Sequence, residues 1–282
     1  MNNLQPSYVP ENCNAWRDFF ETDKFPYWWY KNPEGRKMFI SVRQPRSGSK
    51  RKAFVQGSYD GIKKRYIKSN TWSKKENFKL PLYRLDELVK TDKPILIVEG
   101  EGKCDKAQEL LPDFFTTCYS CGGRSFNSTD FSVLKGREVI LWPDADKLYH
   151  GVDNFDSLAL VLKEEYGIET KIVPVPTYEE INSYFKGKFP KHSWDLGDKI
   201  PEQVNVRELI SKAEVKTFKT KDLNVEYSNI RKNKDDFVYI SQGLCYWDRT
   251  KKRIRKEKDI NNIFLRSKEK GHYSNTASEW LH

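Results

Sequence analysis

The sequence predicts an α/β domain, built on a central, mostly parallel sheet flanked by helices, between two basic arms. Two observations carry this reading: from Lys93 onward short apolar runs alternate with helical patterns, and charge is partitioned along the chain. Residues 1–90 hold 19 Lys/Arg against 9 Asp/Glu, residues 91–200 hold 13 against 19, and residues 201–282 hold 18 against 12. An acidic middle flanked by cationic segments suits a site that handles a polyanion. Aromatic residues at 14% argue for a folded chain, although the hydrophobic fraction is only 37%.

The first ninety residues read as a β-rich, basic region. YWWYKNPEGRKMFISVRQP has two strand-prone runs around Asn32-Pro33-Glu34-Gly35, a hairpin signal, followed by the linker SGSK and the runs AFVQG and KKRYIKS. Between Arg43 and Lys75 eleven Lys/Arg, including Arg43, Arg51, Lys52, Lys63, Lys64, Arg65 and Lys68, accompany one acid, Asp60. Phe54, Tyr59, Tyr66 and Trp72 are interleaved with them. Cations bind phosphates and rings stack on bases, so the stretch fits a single-strand platform; the same alternation also fits a meander with one wet and one dry face. LYRLDELVK then has helical spacing at Leu82, Leu85, Leu88 and Val89.

In the middle segment, PILIV (94–98), 114–119, 139–142 and 170–175 read as strands. Helices are expected around 105–111 and over NFDSLALVLKEEYG, the latter ended by Gly167. A parallel sheet places its ligands at the carboxyl ends of its strands. Glu99 falls at one such end, and Asp144 and Asp146 at another, in WPDAD. Two aspartates separated by one alanine repel, which is costly unless a cation compensates, though Pro-Asp also starts ordinary turns. Glu99 can equally cap the following helix, Asp105 fits a helix N-terminal turn, and Asp195 fits an N-cap within WDLGDKIPE.

Taken together, VEGE with an Asp six residues after its first Glu (Glu99, Asp105), the Gly122-Gly123 turn, LKGREV leading into WPDAD, and WDLGD at 194–198 resemble the Toprim domain, and in particular the Toprim primases of phages and mobile elements. The resemblance covers Arg84 to about Val204. In the family's pattern a lysine directly follows VEGE; here Gly102 intervenes and the lysine is Lys103.

That resemblance implies a DNA primase, a nucleotidyltransferase of the DNA-directed RNA polymerase type that makes short RNA primers on a single-stranded DNA template during phage or mobile-element replication. It implies Glu99, Asp144 and Asp146 as catalytic residues and, with Asp198, as ligands of Mg²⁺ or Mn²⁺, hard cations suited to carboxylate oxygens. Asp105 and Asp195 would support the site, and Lys103 and Arg124 would meet the triphosphate of a nucleoside triphosphate. The implied organisation is a basic template-contacting region (1–90), a Toprim catalytic domain (91–204) and a basic C-terminal segment (205–282), β or mixed α/β, that connects to a helicase acting in cis or in trans. Within that segment FVYIS and LCYWD flank a Gln242-Gly243 hairpin signal, before five Lys/Arg between Arg249 and Arg255.

The same acids could direct water as a metal-dependent nuclease, and a noncatalytic single-strand-binding module is an alternative of another class. A lone CxxC (Cys118, Cys121) without further ligands leads us to expect no zinc, and the absence of a GxxxxGK[ST] loop argues against a Walker-type motor in this chain. With no long apolar run and no signal-peptide pattern, the expected location is cytoplasmic and intracellular, the host cell's cytoplasm if the gene is phage-borne, with no membrane partner. Removing the charges of Lys63, Lys64 and Arg65 is expected to weaken single-strand binding and flatten its salt dependence; an unchanged salt slope would take this cluster out of the binding surface.

Overall fold

The computed structural model describes residues 6–11, 13–45, 52–147, 150–216, 237–240, 245–248 and 253–256. The chain divides into two compact units, Met1–Lys216 and Thr217–His282. The first begins with an antiparallel sheet of β1 (Pro6–Ser7), β2 (Tyr27–Lys31), β3 (Lys37–Pro45), β4 (Lys52–Asp60) and β5 (Arg65–Ile67), and α1 (Trp16–Phe20) lies between β1 and β2 in the chain. The strand order is β1-β4-β3-β2, with β5 also paired to β4. The expected hairpin is the β2–β3 pair, with Trp29 opposite Ile40 and a register shift at Tyr30/Lys31 next to the turn.

Alternation along β2 sends neighbouring aromatic rings to opposite faces. Trp29 meets Trp16 of α1 edge-on, 5.3 Å between centroids, and α1 adds Phe20 to a cluster with Ile40, Val42 and Tyr66. Trp28 and Tyr30 point the other way. Tyr66 and Trp72, read from sequence as rings available to a single strand, are core residues at 6% exposure each, whereas Phe54 is 47% exposed. For those two rings the dry-face reading of the alternation is the right one.

A short helix α2 (Leu85–Leu88) leads into β6 (Ile95–Ile97), α3 (Glu101–Leu110), β7 (Phe115–Thr117), β8 (Val139–Leu141), β9 (Ala145–Asp146), α4 (His150–Tyr166), β10 (Thr170–Ile172), α5 (Tyr178–Tyr184), β11 (Ser193–Trp194), α6 (Val206–Ser211) and β12 (Glu214–Val215). The second sheet has the order β12-β10-β8-β6-β7: β10, β8, β6 and β7 run parallel, and β12 pairs antiparallel with β10. All three residues of β6, β7 and β8 are buried, as expected of strands covered on both faces. Phe155, Leu158, Ala159 and Leu162 form the dry stripe of α4, and the Gly167 N–H closes the helix by donating to the Lys163 carbonyl. Helix α3 starts four residues earlier than its periodicity suggests, so Lys103 belongs to its first turn.

The two sheets are joined through α3. Trp28 Nε1 donates to Asp105 Oδ2 (2.7 Å), Tyr83 OH to Asp105 Oδ1 (3.1 Å), and Tyr30 OH to Glu101 Oε1 (2.9 Å). Glu101 is 2% exposed, and burial pushes its carboxyl above the ordinary range despite hydrogen bonds, Tyr30's among them, that favour the anion. The second unit contains an antiparallel three-stranded sheet of β13 (Phe237–Ile240), β14 (Cys245–Asp248) and β15 (Arg253–Lys256). The expected hairpin is β13–β14; the basic run continues into a third strand that the sequence reading leaves out. Among the described residues, no helix is long and apolar enough to cross a membrane.

Tyr30→Phe would leave the buried Glu101 carboxyl without this donor while keeping the ring stacked on Phe39 at 4.4 Å. The expected cost is about 1–3 kcal/mol of unfolding free energy, measured by chemical denaturation. An unchanged midpoint would mean that this hydrogen bond does not hold the sheets together.

Candidate active site

Strand order creates the site. After β6 the chain passes through α3 to β7 on one side, then returns to place β8 on the other side of β6. The connections therefore leave β6 and β8 in opposite directions and open a crevice between their carboxyl ends, the usual ligand position in open α/β sheets. Glu99 follows β6 and Asp144 follows β8, so the crevice carries a carboxylate on each wall.

A third carboxylate arrives from a distant part of the chain. β11 pairs antiparallel with β9, setting Ser193 opposite Asp146 and Trp194 opposite Ala145. Asp195 is thereby delivered beside Asp144, and Ser193 Oγ lies 3.5 Å from Asp144 Oδ2. From the first turn of α3, Lys103 forms an ion pair with Asp144 and a second one, 3.4 Å long, with Asp195 Oδ2.

Charges dominate this cluster. Burial raises the Asp144 carboxyl to about 7, and the negative charges of Glu99 and Asp195 add to that, outweighing the opposing effect of Lys103. Burial alone would lower the Lys103 ammonium, but Asp144, Asp195 and Glu99 overturn this and raise its pKa. Two glycines make room. Gly122 has φ +58°, in the left-handed region, and a Cβ there would lie 3.2 Å from Glu99 Oε1; a Cβ on Gly151 would lie 2.4 Å from the Asp144 carbonyl oxygen. The Gly122 requirement was visible in the sequence only as a turn signal, while Ser193 and Gly151 carried no signal at all.

The other expected site residues are distributed around this centre. Asp146 Oδ2 accepts from the Gly151 N–H at 2.5 Å. Asp198 is paired with Lys191, and its Oδ2 accepts from the Asp195 N–H at 3.4 Å. Asp195 opens a turn, its Oδ1 accepting from the Gly197 N–H, and does not cap a helix. Gly100, with φ +100°, is the N-cap of α3, and Glu99 stands immediately before it. Asp105 sits in the middle of α3, facing the first sheet and away from the other acids, because Trp28 and Tyr83 hold both its oxygens. Arg43, Lys63, Lys64, Arg65 and Lys68 are exposed on the first sheet and its turns. Arg51 lies outside the described residues, as do the side chains of Lys52 and Arg124.

As the side chains lie, no group of three or more His, Cys, Asp or Glu among the described residues is arranged to hold a metal ion. The donor chemistry nevertheless fits a hard divalent cation: the oxygens are anionic, partly desolvated and mutually repelling, and they already gather one cation, the Lys103 ammonium.

No protein-family model matches the chain, and no curated protein does. Among solved structures, a DnaG primase catalytic domain bound to single-stranded DNA is similar at 14% identity and a TM-score of 0.40, covering 68% of this chain and 52% of that one. The RNA polymerase domain of Mycobacterium tuberculosis DnaG, in complex with double-stranded DNA, is similar at 11% identity and a TM-score of 0.41, covering 73% and 57%. The primase domains of bacteriophage T7 gp4, bound to an RNA/DNA hybrid and dTTP, are similar at 14% and 0.39, covering 68% and 79%. The chain thus spans a little over half the length of the two DnaG structures. At these identities and scores the likeness does not establish what this chain does.

The raised Asp144 carboxyl has a consequence for stability. The folded chain holds this proton up to about pH 7, whereas the unfolded chain releases it near 3.8, so the native state binds more protons across that window and loses stability as pH rises through it. Asp144→Asn has no such titration. In metal-free buffer its melting temperature relative to wild type is expected to climb between about pH 4 and about pH 7. A pH-independent difference would show that Asp144 ionises normally.

Proposed function

We propose that the chain is a metal-dependent DNA primase of the Toprim type, from a phage or mobile element, which joins nucleoside triphosphates into short RNA primers on single-stranded DNA. The observation that carries the proposal is the gathering of Glu99, Asp144 and Asp195 around one ammonium at the topological switch point of a parallel sheet. The described basic side chains of the first sheet agree with a polyanionic template, and the similar primases bound to DNA agree with it too.

In this reading Asp144, Asp146 and Glu99 would hold Mg²⁺ or Mn²⁺, with Asp198 at the margin. When bound, the ion supplies positive charge at the phosphoryl oxygens and lowers the pKa of the attacking 3′-hydroxyl. The chain's own groups do the rest. Glu99, across the crevice from Asp144, would be a further ligand or the acceptor of the hydroxyl proton. Lys103, held in the crevice by Asp144 and Asp195, would carry its charge to the triphosphate, and Arg124 would have the same role. Asp195 keeps Lys103 from leaving the crevice, and Asp105 holds α3 against the first sheet so that Lys103 stays in register. A helicase, in cis or in trans, would supply the single strand.

The test is de novo synthesis on a mixed-sequence single strand with labelled nucleotides and either metal, comparing wild type with Asp144→Ala/Asp146→Ala. Short products from wild type alone are expected, with a loss of at least a hundredfold in the double variant, about the size of one lost electrostatic contribution. Template degradation that the double variant abolishes would reassign the centre to a nuclease. Binding without turnover, indifferent to Asp144→Ala, would leave a noncatalytic single-strand module.

A further inference from the structure

A second feature lies on the opposite face of the first sheet. Trp28 and Tyr30 reach α3, while Trp29 turns to α1 on the other side; a Cβ on Gly57 would collide with Phe20 of α1, so residues 57 and 59 of β4 share that outer face. There a cavity of about 580 Å³ opens between α1 and the β4–β5 pair. Its size falls within the roughly 300–1,000 Å³ of small-ligand clefts.

Its walls are aromatic and its rim cationic. Phe19, Tyr59 and Tyr66 line it, and Lys64, Arg65 and Lys68 surround it, with no acidic side chain among the described residues of the lining. Tyr66 and Tyr59 meet edge to face at 5.3 Å, and the Tyr66 hydroxyl donates to the Cys13 carbonyl at 3.1 Å, so this wall is fixed before any ligand arrives. Phe19 is different: it meets Phe20 edge to face at 4.8 Å and lies 6.4 Å from Tyr66, yet stays 40% exposed, with the Lys68 ammonium 6.0 Å from its centroid. The cavity thus combines a ring 40% exposed with three cationic side chains. It suits a flat, apolar body that carries a negative group.

We propose that this cavity holds one nucleotide of a single DNA strand, its base stacked on Phe19 beside Tyr59, with buried Tyr66 only backing that wall, and its phosphates met by Lys64, Arg65 and Lys68. The inference rests on the reading of the chain as a single-strand-handling protein and adds a base-binding pocket on the sheet face turned away from Glu99 and Asp144. A strand seated there must pass around the sheet to reach the acidic centre, so the pocket anchors the strand at a distance from the chemistry. Strand DNA, not a free mononucleotide, is the occupant because three separate cations flank one ring, which matches successive phosphates along a backbone.

The experiment measures equilibrium binding of a fluorescent oligothymidylate to the full chain, alongside an abasic oligomer of equal length and thymidine monophosphate. Phe19→Leu, which retains an apolar side chain and the fold, is expected to weaken oligothymidylate binding about fivefold or more, the lower bound for losing one base–aromatic stack, and to leave abasic-strand affinity unchanged. Lys64→Gln/Lys68→Gln should weaken both strands and reduce the salt slope by about 1.4, at about 0.7 per phosphate contact. Equal loss on both strands, or no loss with Phe19→Leu, would overturn the pocket while leaving strand binding, and primer synthesis, intact. Thymidine monophosphate competing as well as the oligomer would assign the cavity to free nucleotides and overturn the strand. A wild type that binds no strand would overturn this inference and the functional reading together.

Discussion

Lys103 is the charge on which the acidic centre depends. Glu99, Asp144 and Asp195 are brought together by backbone pairing, and three carboxylates sharing one crevice would repel one another strongly if nothing intervened. The ammonium that reaches Asp144 and Asp195 from the first turn of α3 opposes this repulsion, while burial, more than the neighbouring charges, keeps the Asp144 carboxyl high. A buried carboxyl flanked by two others is the electrostatic condition that an added cation relieves.

This dependence extends to the rest of the first unit. Lys103 is aimed by α3, and α3 is held from the other side by Trp28, Tyr30 and Tyr83 acting on Asp105 and Glu101. The antiparallel sheet is thus more than a carrier of basic residues: two of its hydrogen bonds, one of them fully buried, fix the helix that positions the central lysine. One consequence is that Asp105, a carboxylate within reach of the acidic motif in sequence, is committed to architecture.

The aromatic side chains in and around the first sheet divide along the same line. Rings on its inner face and core, such as Tyr30, Phe39 and Trp72, hold the fold, whereas Phe19 at the outer face remains open to solvent among cations. Alternation of rings and lysines along the strands is compatible with both fates, since period two only says that neighbours point in opposite directions. Which face is dry depends on what packs there: α1 on one side and α3 on the other.

The strand-ending acids, the β2–β3 and β13–β14 hairpins and the parallel character of the second sheet were legible in the amino-acid sequence, because each rests on a local signal: continuous apolar runs, turn residues, and the spacing of helix α4. Local signals cannot report strand order, and strand order decides the site. Placing β8 beside β6 puts Glu99 across from Asp144, and a pairing of only two residues between β9 and β11, too short to leave a periodic trace, brings in Asp195 from about fifty residues away. The charge on Asp144 was likewise undetermined by sequence, since burial and the positions of three neighbours set it. Residue chemistry and local pattern are properties of the chain itself; proximity, desolvation and the direction a side chain faces exist only once the sheets have closed on α3.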